Sequence, residues 1–559
     1  MDSNRIHSLD GMRALLMLLG VYFHLSLAYV TFGSDYAKDV NSTSVFFDFF
    51  FGFLHYFRMP GFFLIAGFFG SLLYHRKGAE KMIANRFKRI LLPLIALIWP
   101  IALMNGYSKQ FSYARNEGHD IIKSLSEGLS VFNVKSPSDL FPWSTEHLWF
   151  LNYLFFMSLL AYIIKLIQRK YIEFHSIDTG GMLSNKVRKM ILTFYLKPLS
   201  GTLLLCFFYG LLMMILIKGM AQGDAQWWSW IWFFKWGAIK SFFAFGFFYF
   251  IGWYMYHHKS MISTLSIKKQ LGVFVIINAL LYGVLYGLFK IYPYSPYPQI
   301  MHSWGQTSSV TFNIDMSEFD FDKLNEENEF RGVFVQGNFN GWCGECDNQM
   351  TDNDGNGIYT KEIQMKNGDY KFIFTINGWD GVKRDKEKDY EEWISPGKEG
   401  LDCDVSPEYN EYVIQVFEED MILDPICWKQ CTNCNGDIIN LTSNGKKDSL
   451  KENPINLLHI FLWNFGVPNY IMLILAICIR IFNHESKAMR YISDSSYWVY
   501  IIHLPLTHFI PGFFHGVNIN VFLKFAISSM LITIICFLSY HFFVRSTFIG
   551  KFLNGKKYV

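Results

Sequence analysis

The sequence predicts an α-helical membrane protein of about ten spans, with an all-β domain inserted before the last three. Three observations predict it. Of the 559 residues, 51% are hydrophobic and 18% aromatic, with 56 phenylalanines, and only 17% are charged; that is too apolar for an ordinary water-soluble chain of this length. Apolar runs long enough to cross a bilayer recur along the chain, with Lys and Arg gathered in alternate loops. The stretch from 305 to 452 breaks this pattern. It holds 31 acidic and 14 basic residues, a net of −17, while the remainder holds 16 and 36, a net of +20. The near-neutral total hides two oppositely charged parts, and neither calls for a nucleic-acid partner.

The expected spans are 12–32, 46–74, 89–107, 147–168, 198–218, 230–256, 269–291, 454–481, 497–515 and 519–543. The second is longer than a bilayer needs and contains Arg58, Pro60 and Gly61, which predict a kink or break there. The first has no small-residue cleavage site after it, so it is not read as a removed signal peptide. Basic clusters at 76–89, 165–197, 268–269, 480–490 and 551–557 all fall on one side of a ten-span chain, which makes both termini cytoplasmic. The predicted domains are a membrane domain over 1–304, an extracytoplasmic insert over 305–452, and the rest of the membrane domain over 453–559.

The first span carries the strongest chemical signal. Arg13 and His24 are eleven residues apart, so they lie within about 20° of one helix face and roughly 16 Å apart along the axis. Arg13 is expected at one interface and His24 about halfway across. An ionisable residue inside a membrane is costly and marks a site by default. The ordinary alternatives are an interfacial anchor for Arg13 and a hydrogen-bonded bundle histidine for His24. A neutral imidazole is a good general base near neutral pH.

Further polar residues surround this pair in the sequence. Asp10 can orient Arg13. His55 and Arg58 are one helical turn apart and can line the same cavity. Arg86, Lys88 and Arg89 suit the phosphates of a cytoplasmic donor, though ordinary positive-inside charge explains them equally well. Glu146 and His147 are expected at the outer edge of the fourth span, where an acceptor would arrive, or in an interfacial hydrogen bond. His503, beside Pro505, is read as a substrate contact or a structural histidine. Trp143 and Trp149 read as interface aromatics.

The insert reads as β-structure. Arg331–Gln336, Ile358–Met365 and Tyr370–Ile376 have strand composition, separated by Gly and Asn turns. Six of the nine cysteines lie in it: Cys343, Cys346, Cys403, Cys427, Cys431 and Cys434. An exported domain favours pairing, with fifteen possible connectivities, although the two Cys-x-x-Cys steps also have zinc-like spacing. No metal is assigned. The run Asp352 to Gly357 starts like a calcium loop, but its twelfth position is Ile363, so a tight turn is expected instead.

Several ordered motifs carry a resemblance. Leu9-Asp10-Gly11-Met12-Arg13 with His24, Pro60–Phe68, Arg86-Phe87-Lys88-Arg89 before Leu91-Leu92-Pro93, Glu146–Leu151, and Tyr497–Pro505 together resemble the membrane acyltransferase-3 superfamily. Within it, they are most similar to the branch that succinylates osmoregulated periplasmic glucans. Ala66 stands where serine is common. The resemblance covers about 1–300 and 453–546. It implies a bacterial inner-membrane enzyme in which Arg13 and His24 are essential and His24 is the base. It further implies acyl-CoA as donor substrate, no bound cofactor, and a glycan acceptor. Val335–Trp342 is similar to the glucan-binding modules found beside starch- and glycogen-active enzymes, which are small Ig-like sandwiches. That implies sugar stacking by Trp342, Trp379 and Tyr359, against a plain core role for each. The competing class is a ten-span transporter with a glycan-binding ectodomain, but the paired broken helices of such proteins are not evident. A lipid acceptor would leave the insert unexplained.

Overall fold

The computed structural model describes residues 7–31, 38–39, 42–132, 145–175, 198–217, 236–258, 265–291, 307–321, 330–340, 342, 348–365, 368–378, 394–396, 411–416, 420–437, 439 and 454–555. The N-terminal part is helical: α1 (His7–Ser26), α2 (Val45–Lys77), α3 (Ala79–Arg86), α4 (Leu92–Asn116), α5 (Ile121–Gly128), α6 (Trp149–His175), α7 (Pro198–Ile217), α8 (Trp236–Met255) and α9 (Ile267–Ile291). After the β-region come α10 (Pro454–Phe465), α11 (Val467–Ile481), α12 (Lys487–Gly512), α13 (Val521–Ser539) and α14 (Phe548–Asn554). Two π-helical turns, Phe87–Leu91 and Tyr540–Val544, interrupt the helical runs.

Among the described residues, seven helical stretches are long and apolar enough to cross a membrane: 45–77, 79–116, 149–168, 199–216, 267–285, 460–481 and 521–544. A shorter apolar helix covers Ser241–Met255. The helices α1 and α12 are not among the seven. Both carry ionisable residues, Asp10, Arg13 and His24 on one and Arg490, Asp494, His503 and His508 on the other. Their neighbours bury those residues: Asp10 is 9% exposed, and His503 and His508 are 2% and 1%.

Helix directions follow from residue pairs at two levels. Arg13 meets Ser493, and His24 meets His503, so α1 and α12 run parallel. Tyr497 meets Arg89, and His508 meets Ser112, so α4 runs with them. Tyr491 meets His541 and Trp498 meets Ser539, so α13 runs the other way. Close approach decides the packing of α2 on α8. A Cβ at Gly67 would fall 1.8 Å from the Tyr249 carbonyl oxygen, and one at Gly252 would fall 1.8 Å from that of Leu64. Only hydrogen on both sides lets the two backbones touch.

Three expectations are corrected. The second span is not broken: α2 is continuous through Pro60, held on one side by Leu16 against Gly61 and on the other by α8. The eighth is divided at Gly466 into α10 and α11, where Tyr56 packs against the glycine and donates to the Trp463 carbonyl. The first helix ends sooner than expected, at Ser26, which puts His24 in the last turn of α1. The chain nevertheless stays inside: Ala28, Tyr29 and Val30 are fully buried. The turn is held by Asp39 N–H on the Ala28 carbonyl, Ser44 N–H on that of Tyr29, and Asp48 accepting from Thr31. Nearby, Lys524 reaches Asp39 and Ser42, both at 2.6 Å, with the ion pair almost wholly buried.

The strands form two sheets. The first comprises β1 (Ser308–Asp315), β4 (Ile358–Met365), β8 (Met421–Ile422) and β9 (Ile426–Cys427), with β1 antiparallel to β4 and parallel to the other two. The second comprises β2 (Val333–Gly337), β3 (Gln349–Met350), β5 (Gly368–Ile376), β6 (Ile394–Ser395) and β7 (Tyr412–Val416), all antiparallel. Val310, Phe312 and Ile314 from one sheet share a core with Val335, Phe372, Phe374 and Ile414 from the other. The run at 352–357 is a closed turn: the Asp352 carboxylate accepts from the N–H groups of Gly355, Asn356 and Gly357.

Candidate functional site

Proline at 505 organises the site. In an α-helix each N–H bonds the carbonyl four residues back, and Pro505 has no N–H, so the Ile501 carbonyl loses its helical partner. His147 Nε2 takes that place, 2.9 Å from Ile501 O. A carbonyl only accepts, so Nε2 carries the hydrogen. Tyr500 Oη completes the clamp, donating to the His147 carbonyl at 2.5 Å. His147 is therefore buried against the middle of α12, 7% exposed, and not at an outer edge. The short 3₁₀ turn Glu146–Leu148 dips inward to put it there. Glu146 opens that turn, and its side chain lies outside the described residues.

His503 is fixed in the opposite sense. Its Nδ1 donates to the carbonyls of Tyr500 and Val499, at 2.8 and 3.1 Å. Nε2 then bears the lone pair, is sealed from solvent, and has no hydrogen-bond partner. The His503 ring centre is 5.1 Å from that of His147 and 5.1 Å from that of His24. His24 differs from both. Its ring makes no hydrogen bond among the described residues, and it keeps accessible surface although it lies deep in the bundle.

Arg58 closes the group. It is 7% exposed, its guanidinium lies 4.4 Å over the Phe23 ring, and among the described residues it makes no ion pair. Gly20 lets it cross α1, since a Cβ there would fall 2.7 Å from Nη1. His55 faces the same Phe23 ring at 5.5 Å. A buried cation without a carboxylate is costly, and an anionic ligand or transition state would offset that cost. His55 and Arg58, one helical turn apart, thus face the same Phe23 ring, while the grouping of His24, His147 and His503 is one the sequence did not predict.

Arg13 lies at the other end of α1. It pairs with Asp10 at 3.5 Å, and its Nη2 donates to Ser493 O and Oγ at 3.0 and 2.6 Å. Ser493 gave no sequence signal; only the packing of α1 on α12 reveals it. A small open cleft beside Asp10 is lined by His7, His484, Glu485, Ser486, Met489 and Arg490. Of the basic entry to α4, Arg86 is half-buried with Nε unpartnered. Lys88 and Arg89 are exposed, and Arg89 lies against Gly555 at the C-terminal end of α14, where the helix dipole favours a cation. Trp149 is half-buried and packs on Phe245 and Tyr153. Trp143 lies outside the described residues.

In the insert, Trp342 is half-buried with φ at 59°, its N–H on the Gly337 carbonyl. Tyr359 packs partly against the shared core, and burial, then the Asp352 carboxylate, push its phenol above the ordinary value. Trp379, Cys343, Cys346 and Cys403 lie outside the described residues. Cys427 and Cys434 form a disulfide, and Cys431 is also disulfide-bonded. The Cys206, Cys478 and Cys536 thiols are free and buried.

Comparison with known proteins identifies the family of the chain. The chain is 32% identical over 162 residues to "Glucans biosynthesis protein C" of Escherichia coli strain K12, and 33% identical over 162 residues to the protein of that name from Shigella dysenteriae serotype 1. Each match covers 28% of this chain and 38% of the relative. No solved structure matches. The family described as "Acyltransferase domain" matches residues 6–312, more than half of the chain and including Arg13, His24, Arg58 and His147; the protein belongs to that acyltransferase family.

Proposed function

We propose that this protein is an integral membrane O-acyltransferase that moves a succinyl or acetyl group from cytoplasmic acyl-CoA to a hydroxyl of an exported glucan or similar envelope glycan. The observation that carries the reading is His24: an accessible imidazole without a hydrogen-bond partner, deep in the bundle, in electrostatic reach of the buried Arg58. Family membership and the glucan-biosynthesis name of the relatives support it.

In the proposed reaction the acceptor hydroxyl gives its proton to His24 as its oxygen bonds the thioester carbonyl carbon. The carbonyl oxygen gains negative charge, which Arg58 stabilises in a water-poor site. The carbon–sulfur bond then breaks, the acyl ester is left on the acceptor, and the CoA thiolate leaves with the proton from His24. Asp10 orients Arg13 toward the donor, with Arg86 nearer the phosphates; His55 and His147 line the acceptor side, with Glu146 at its entrance. The chain spans the bacterial inner membrane ten times, with both termini cytoplasmic. The insert is a periplasmic Ig-like sandwich whose Trp342, Trp379 and Tyr359 hold glucan. The bilayer separates donor from acceptor, which gives an embedded enzyme its purpose.

The test is transfer by the purified protein. Succinyl-CoA or acetyl-CoA and a glucan oligosaccharide should give free CoA and an acylated product by mass spectrometry. No acyl transfer to any glycan, and no CoA release, would overturn the reading.

A further inference from the structure

We infer that His503 is a positioning residue for His24: its Nε2 lone pair accepts the His24 N–H and so fixes which His24 nitrogen faces the acceptor hydroxyl. This rests on the proposed acyl transfer.

The argument begins with an unsatisfied atom. A buried acceptor left without a donor costs about 1–3 kcal/mol. His503 Nε2 is such an atom, and its tautomer cannot relieve the deficit. The Val499 and Tyr500 carbonyls hold a hydrogen on Nδ1, so in the neutral imidazole Nε2 can only accept. Nδ1 faces the backbone of α12, and Nε2, on the far side of the ring, points away from that helix toward its neighbours.

Arg58 lies over the Phe23 ring and makes no hydrogen bond to His503 Nε2, and among the ring neighbours one donor is uncommitted. His147 holds its Nε2 hydrogen on Ile501 O and cannot offer it. Tyr500 Oη is committed to the His147 carbonyl. His24 remains, with a ring that makes no hydrogen bond. Two imidazoles joined by an N–H···N bond of about 3 Å have ring centres roughly 5 Å apart. The His24 and His503 centres are 5.1 Å apart, with planes at 54°. The bond therefore needs a turn of the His24 ring and no translation, and this terminal torsion is soft.

The result is a chain in which each link sets the next. The α12 carbonyls fix the His503 tautomer, and His503 fixes that of His24. The other His24 nitrogen is left bare to take the hydroxyl proton. A base oriented by a third group is the general arrangement of such sites. Here the orienting group is a second imidazole, 2% exposed and held by its own helix.

The test separates the two nitrogens of His503. In His503→Gln an amide oxygen can take the place of Nε2; in His503→Asn the amide lies near Nδ1. With succinyl-CoA and a glucan oligosaccharide, the Gln variant should keep kcat within about tenfold of wild type, and the Asn variant should lose on the order of 10²-fold with little change in KM. In a His24→Ala background, His503→Asn should cost nothing more, because it acts through His24. Asparagine equal to or better than glutamine, or an additive loss in the double variant, would overturn the inference. A wild-type protein with no transfer at all would instead overturn the acyltransferase reading beneath it.

Discussion

His147 Nε2 donates to the carbonyl of Ile501 across 2.9 Å, joining the start of α6 to the middle of α12 through a backbone group that a proline four residues later has released. Pro505→Ala restores the N–H and lets it compete for that carbonyl. The helix should gain stability, since a proline in a helix interior costs about 3 kcal/mol. His147 should lose its fixed tautomer, with kcat falling on the order of tenfold to a hundredfold. Melting temperature and kcat measured on one preparation should move in opposite directions.

His24→Ala should lower the transfer rate on the order of 10²–10⁴-fold without loss of expression or membrane insertion. His24→Gln keeps a polar group but cannot take a proton at neutral pH, and it should be equally impaired. Activity restored by glutamine would show a packing role.

Gly20→Ala places a methyl group 2.7 Å from Arg58 Nη1. The contact is with the end of a flexible side chain, so folding should survive while the guanidinium is pushed aside. Transfer should fall about as far as in Arg58→Lys, which keeps a charge but loses the planar fork. Wild-type activity in Gly20→Ala would remove Arg58 from the reaction.

Lys524→Met leaves the Asp39 carboxylate buried without its cation. Breaking such a pair costs roughly 3–5 kcal/mol. The double variant Lys524→Met, Asp39→Leu should recover much of the lost thermal stability in detergent, because no bare charge remains.

Reduction followed by a membrane-impermeant thiol reagent on spheroplasts should label Cys434, the half-buried partner of Cys427 in the insert. Labelling only after permeabilisation would place the insert in the cytoplasm. Loss of this short disulfide loop should cost about 2 kcal/mol.

Much of this protein was legible in sequence because the signals are local. Apolar length specified the helices, and alternation with Gly and Asn turns specified strands such as Ile358–Met365, whose bounds the structure reproduces. Eleven-residue spacing put Arg13 and His24 on one face, which needs only the helical repeat. Tertiary structure decided the rest, since contacts between residues 350 or 480 positions apart leave no local pattern. It seated His503 beside His24, gave Arg13 its Ser493 partner, and drew His147 from an expected rim into the middle of α12. The sequence placed Pro505 two residues after His503. Only the fold shows whose hydrogen takes the carbonyl that Pro505 sets free, because the donor arrives from another helix.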